Sequence, residues 1–212
     1  MGEKVDGGGT LKLLDIACGT GWTTSVWQEE GFDVTGLESS EVRSQFCRKR
    51  YNLKVFTGFI EEFNPKEKFD VITMRHVVEH LEHPVAVLEK VKTFLKDDGV
   101  LLITLPNINA IGRYIFQEHW SWILPWHLHF YYPKTLTALV ERTGFQKLKL
   151  YQMPSPLWYS DSLLSALGEK SFLRRILAKI SRPVMMALFS PVIFIGMIFQ
   201  LNDNLTILAK KK

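Results

Sequence analysis

Residues 11–21, reading LKLLDIACGTG, restrict the folds open to this chain more than any other stretch. An apolar run without polar alternation, entering a glycine turn with a helical pattern behind it, predicts a central parallel strand covered on both faces. Gly19 and Gly21 allow a sharp turn and a close approach of backbone to ligand. Asp15 falls at the strand's carboxyl end, where open α/β sheets gather ligand contacts. The glycine spacing lacks the G-x-G-x-x-G of dinucleotide folds, which argues against a nicotinamide-dependent oxidoreductase, and it lacks the Lys-Ser/Thr of a phosphate loop. An ordinary strand-to-helix connection is the plain alternative.

A second strand over 33–38 ends in Glu38, about 20 residues further on, where a Rossmann-like unit places the carboxylate that accepts from ribose hydroxyls. Further strands at 54–57, 69–74 and 100–105 alternate with helices at 22–30, 41–51 and 84–96, which predicts a parallel α/β sheet. A helix over 133–143 stops at Gly144, a strand follows over 145–152, and 205–209 reads as a last strand before the terminal lysines. An acid followed by Ala17-Cys18-Gly19-Thr20-Gly21 resembles motif I of the class I S-adenosylmethionine-dependent methyltransferases. Over 11–150 the order and spacing resemble the broad group that includes the ubiquinone-biosynthesis O-methyltransferases. Phe69-Asp70-Val71-Ile72, Val78-Glu79-His80 and His127-Leu128-His129-Phe130 carry the closest match.

That resemblance implies an α/β, Rossmann-like sheet of seven strands with helices on both faces and an antiparallel last strand. It also implies S-adenosylmethionine as cofactor, held around Asp15, Ala17, Gly19, Gly21, Glu38, Ser39, Phe59, Ile60 and Arg75. Family members often carry an acid at the position of Phe59, to contact the adenine amino group. Phe59 departs from that pattern and leaves ring packing as its use.

The 212 residues, 46% hydrophobic and 23% charged, suit one domain with a full core and an appended segment. We divide the chain into a cofactor-binding core (1–153), a helical apolar insertion (154–203), and a last strand with a basic tail (204–212). A formal charge of +4 gives no argument for a nucleic-acid partner. Two cysteines, Cys18 and Cys47, make no disulfide framework, so the expected compartment is reducing and cytoplasmic. Cys18 reads as a small residue packed under the cofactor rather than a nucleophile. Residues 1–10 are polar and glycine-rich, unlike a secretory signal. The resembling family usually has helices ahead of motif I, so either the chain is trimmed or the site is unusually open.

The densest polar cluster is RHVVEHLEH at 75–83. On a helix, His76, Glu79, His80 and His83 would share one face. A neutral histidine there can take the proton from an attacking hydroxyl. Alternatively, His76, Glu79 and His80 could hold a divalent metal that acidifies a bound hydroxyl. Certain relatives bind metal through Glu-x-x-Glu-His. Here His76 replaces the first glutamate, and His127 or His129 would complete the set. In metal-free members the same Glu79 and His80 pattern orients the loop.

Residues 107–132 form a long connection rich in Trp and Tyr, the content of a lid or acceptor pocket, or of a cap on the sheet edge. His127 and His129 would face the same side of an extended segment. The candidates for activating the acceptor are therefore His76, Glu79, His80, His127 and His129. Oxygen is the favoured acceptor atom, with carbon as the other option. In the insertion, Lys170, Arg174, Arg175, Lys179 and Arg182 interleave with apolar residues, and 183–201 carries no charge. Helices on a membrane surface through 170–201, a cover or dimer interface, and a membrane span are the alternatives. The partner expected is a small-molecule or lipid-linked acceptor, such as a quinone precursor or polyprenyl-linked glycan. The competing class is a non-catalytic membrane-associated module that keeps the fold.

Overall fold

The computed structural model describes residues 9–155 and 157–212, so most of the segment ahead of the first strand lies outside the described residues. In chain order the elements are β1 (Lys12–Ile16), α1 (Trp22–Glu29), β2 (Asp33–Glu38), α2 (Glu41–Tyr51), β3 (Lys54–Thr57), β4 (Phe69–Arg75), α3 (Pro84–Phe94), β5 (Leu95–Pro106), α4 (Ile111–Phe116), α5 (Pro133–Arg142), β6 (Phe145–Met153), α6 (Leu157–Ala166), α7 (Phe172–Leu177), α8 (Arg182–Ile198) and β7 (Asn204–Lys211). One seven-stranded sheet runs β3-β2-β1-β4-β5-β7-β6. β1 to β5 pair in parallel, and β7 enters antiparallel between β5 and β6, as expected from the sequence.

The sheet is held by apolar residues arriving at the spacing each element needs. In β1, Leu13 and Leu14 are fully buried, as a strand covered on both faces requires. α3 turns Val87, Leu88, Val91 and Phe94 inward, and α5 turns Leu136 and Val140, all into the core that holds Ile72, Leu101 and Ile103. Each such aliphatic side chain contributes about 1.5–3 kcal/mol by leaving water.

Two elements differ from the sequence expectation. α3 stops at Phe94, because Leu95 already pairs with Phe69 in the sheet. The Lys211 ammonium donates to the Leu95 carbonyl (2.6 Å) and Lys96 to Asp70 (2.7 Å), which holds this stretch extended. Residues 75–83 form no α-helix. His76 still donates its N–H to the Thr104 carbonyl (2.8 Å), then turns through a left-handed φ of 53°. Only Val78–His80 makes a 3₁₀ turn. His83 precedes Pro84, a position that disfavours helical backbone, so no continuous helix bridges the gap.

A second, smaller core joins the long connection to the insertion. Ala110, Phe116, Trp120 and Trp122 pack with Tyr159 of α6, and Phe189, Val192 and Ile193 of α8 lie against them. Trp120 and Trp122 are thus structural as well as aromatic lining. Gly196 brings α8 against α4, since a Cβ there would sit 3.2 Å from Ile111 Cγ2. α8 passes through Pro191 because the Ser190 hydroxyl donates to the Ala187 carbonyl (2.7 Å) that the missing N–H would have served. Among the described residues, no helix is long and apolar enough to cross a membrane.

Asp203 ties the insertion to the sheet. It is buried, accepts from the Ser155 N–H (3.0 Å), and its main-chain carbonyl accepts from Asn107 (2.7 Å). Burial raises its carboxyl to about 6, partly offset by Ser155 and the Tyr159 hydroxyl. A carboxyl raised on folding binds its proton more tightly in the native state. Its stabilising contribution is therefore complete below the ordinary carboxylate range and is lost as pH rises through about 6. We predict that the melting temperature of the wild type falls between pH 4.5 and 7 by more than that of Asp203→Asn. Parallel melting curves in differential scanning calorimetry would count against the assignment.

Candidate active site

The strand order reverses direction between β1 and β4, and the crevice at their carboxyl ends is the standard ligand position of an open α/β sheet. The turn after β1 takes left-handed backbone at Ala17 (φ 56°), Gly19 (φ 60°) and Gly21 (φ 75°). Its two glycines serve different purposes. A Cβ on Gly21 would meet Cys47 Sγ at 2.7 Å, so this glycine admits α2 against the turn. A Cβ on Gly19 would meet nothing within 4 Å, so the space above it is open to a ligand. Cys18 packs below with Cys47 and Leu53, and burial pushes its thiol far up, so it stays protonated and acts as filler.

The two acids of the cofactor region are held internally. Asp15 is 2% exposed and accepts from the hydroxyls of Thr24 (2.6 Å) and Thr73 (2.7 Å), which join β1, α1 and β4. Burial raises its carboxyl above the ordinary value, while Thr24, Thr73 and the nearby Arg75 charge oppose that rise. Glu38 accepts from the N–H of Gly19 and that of Ser40, each at 2.9 Å, so it fixes the turn from the side. Each carboxylate oxygen accepts more than one hydrogen bond, so Glu38 keeps capacity for a hydroxyl pair. Ser39 and Phe59 are exposed, whereas the Ile60 side chain lies in the main core. Arg75 has its Nε buried without a protein partner. An open space over Gly19, spare acceptor capacity on Glu38 and an orphaned Arg75 donor fit a polar cofactor laid across the turn.

Beyond β4 the chain builds a compact imidazole and carboxylate cluster. Glu79 is 1% exposed, its Oε1 lies 3.2 Å from His76 Nδ1, and its Oε2 has no protein partner. Its carbonyl receives the N–H groups of Leu128 (2.8 Å) and His129 (3.1 Å), clamping the aromatic connection over the crevice. His80 and His127 each place Nδ1 against a carbonyl, Trp126 O at 2.9 Å and Trp122 O at 2.8 Å. A carbonyl accepts only, so Nδ1 carries the proton in both rings and Nε2 is the bare nitrogen of the neutral form. Burial lowers the His127 pKa below its ordinary value, against the smaller opposing effects of the Trp122 carbonyl and Glu79.

Glu79, His80 and His127 offer ligand atoms within 4.8 Å of one another. His76 joins them through Glu79 and stacks on Trp122, with ring centroids 4.8 Å apart. The structure leaves His129 outside this group, with its ring beside Tyr131, and His83 is exposed at the start of α3. Sequence reasoning did not single out Thr24 and Thr73, which hold Asp15, nor Trp122 and Trp158 as one feature. Those two rings meet at 4.6 Å, and Trp122 Nε1 is buried without a partner. A hollow of about 250 Å³ lined by Lys12, Asp33, Lys54, Phe63 and Glu67 lies at the amino ends of the strands, the wrong edge for a ligand in this topology.

The chain matches the family described as "methyltransferase domain" over residues 5–150. It is 29% identical over 116 residues to a ubiquinone biosynthesis O-methyltransferase of Actinobacillus pleuropneumoniae, a match that covers 50% of each protein, so the chain spans about half the length of such curated relatives. A SAM-dependent methyltransferase from Archaeoglobus fulgidus superposes with a TM-score of 0.63 at 22% identity, over 96% of this chain and 87% of the other. The plantazolicin methyltransferase BamL, solved with a triazolic desmethylPZN analog and SAH, superposes with a TM-score of 0.63 at 16% identity, over 95% of this chain and 77% of the other. By its sheet order, its glycine turn and the family match across most of its length, this chain belongs to the class I S-adenosylmethionine-dependent methyltransferases.

Proposed function

We propose that this protein transfers a methyl group from S-adenosylmethionine to a hydroxyl oxygen of a small-molecule or lipid-linked acceptor. One observation carries the reading: the imidazoles of His80 and His127 each set Nδ1 against a main-chain carbonyl, which leaves Nε2 as the accepting nitrogen of each neutral ring, and both rings group with buried Glu79. The bound cofactor supplies an electrophilic methyl on a sulfonium, and Gly19, Glu38, Ser39, Phe59 and Arg75 are the groups that would hold it. The protein's own part is to place the acceptor hydroxyl in line and to take its proton on Nε2 as the new O–C bond forms. Orphaned Trp122 Nε1 offers a donor to the oxygen of that hydroxyl, whose one proton faces Nε2, and orphaned Glu79 Oε2 offers an acceptor to another donor of the incoming molecule. These buried unpaired groups favour an enzyme over a non-catalytic module, which would have no use for them. Relatives named as O-methyltransferases support an oxygen acceptor.

A divalent metal on Glu79, His80 and His127 is the second reading, favoured by their closeness and by the carbonyls that orient both imidazoles. At metal–nitrogen distances near 2.0–2.1 Å, tetrahedral ligand atoms stand about 3.3 Å apart. The observed spread of up to 4.8 Å must close by more than an ångström to grip a tetrahedral ion, whereas a base needs no such movement. The base reading is therefore the simpler.

Four outcomes test these assignments. His127→Ala or His80→Ala should lower kcat by roughly 10²-fold or more, with little change in S-adenosylmethionine affinity by calorimetry, while His129→Ala stays within a few-fold. The acid limb of kcat/KM should fall below pH 6.5, because His127 remains neutral to lower pH than a free imidazole. A limb above pH 7 would exclude His127 as the base. Dialysis against chelator should leave activity intact, and recovery only on adding Mg²⁺, Mn²⁺ or Zn²⁺ would establish the metal instead. Label from S-adenosylmethionine entering the organic phase of a cell extract would identify a lipid-linked acceptor, and label in the aqueous phase a soluble one.

A further inference from the structure

α8 is apolar on two sides. Phe189, Val192 and Ile193 face the second core, Met185 is buried, and Gly196 closes on α4. Val184, Leu188, Ile195 and Ile198 recur at helical spacing on the other side and are exposed, flanked by Phe194 (62%) and Phe199 (66%). A helix apolar all round is normally covered all round. Four residues earlier in the chain, α7 adds exposed Phe172 (75%), Leu173 and Ile176. An outward face of this size calls for a partner.

The charge of the same segment says which partner. Residues 170–201 contain five Lys and Arg and no Asp or Glu, whereas the rest of the chain carries 21 basic and 22 acidic side chains. The protein's whole positive excess therefore sits in the segment with the exposed apolar face. A second copy would cover the apolar residues but bring two sets of five cations together. A bilayer with anionic headgroups takes both features at once, apolar side chains at the acyl boundary and cations at the phosphates.

We infer that α7 and α8 form a docking surface for an anionic phospholipid membrane, lying on it rather than crossing it. The surface is independent of the chemistry at Glu79 and the imidazoles.

The test uses the full chain and flotation with sonicated vesicles at roughly 0.15 M salt. Partition into phosphatidylcholine vesicles containing 30% phosphatidylglycerol should exceed that into pure phosphatidylcholine by on the order of 100-fold. Leu188→Asp combined with Phe194→Asp should abolish binding, and Arg174→Glu with Arg175→Glu should remove its salt-sensitive part. Unchanged melting curves and S-adenosylmethionine affinity in both variants would show that the loss belongs to the surface alone. Equal binding to neutral and anionic vesicles would overturn the inference. So would absence of vesicle binding, with sedimentation equilibrium showing whether a dimer hides the face.

Discussion

The pair of threonine hydroxyls on Asp15 is the contact from which the rest of the site is built. A carboxylate buried to this degree costs several kcal/mol unless its oxygens are satisfied. Here Thr24 and Thr73 satisfy one oxygen each and tie the end of β1 to the first helix and to β4. Those three elements are the walls and floor of the crevice. The glycine turn leaves β1 at a fixed angle because Asp15 is held, and Glu38 then braces that turn through Gly19. The imidazole cluster begins where β4 ends, so its position relative to the turn follows from the same anchor.

The aromatic connection and the insertion depend on that frame without sharing its core. Trp120 and Trp122 hold the connection down from beneath, while the Glu79 carbonyl clamps it at Leu128 and His129. Trp158 of α6 against Trp122 brings the insertion to within one side chain of the histidines. The insertion therefore borders the imidazole cluster through the aromatic connection on which it packs.

Legibility in the sequence followed range. Strands such as 33–38 and 54–57 were readable to the residue, since β-branched runs and the glycines beside them write themselves locally. The sheet's antiparallel last strand came from resemblance rather than pattern. The imidazole cluster was legible as composition but not as shape. A helical wheel groups His76 with His83, whereas the left-handed turn at His76 and the proline after His83 set them apart. His127 and His129 looked equivalent by alternation, and only the clamp on Glu79 separates them. Thr24 and Thr73 left no mark, because a buried hydroxyl in a strand or helix resembles any other until its partner is known. Asp203 was hidden for the same reason.

The placement of β7 between β5 and β6 also governs how this chain becomes a sheet. Val100 of β5 waits for Lys210, with the aromatic connection, α5, β6 and the whole insertion made in between. Loop-closure entropy rises only logarithmically with that separation, so the finished sheet loses little stability by it. Time is the larger consequence. At ribosomal rates of about 5–20 residues per second, roughly 100 residues separate the two strands by about 5–20 seconds. During that interval β5 presents an unpaired edge of Leu and Ile residues, and α8 has no second core to dock on until the aromatic connection has folded. A nascent chain of this topology has reason to need a chaperone, or a nearby surface, before its last strand arrives.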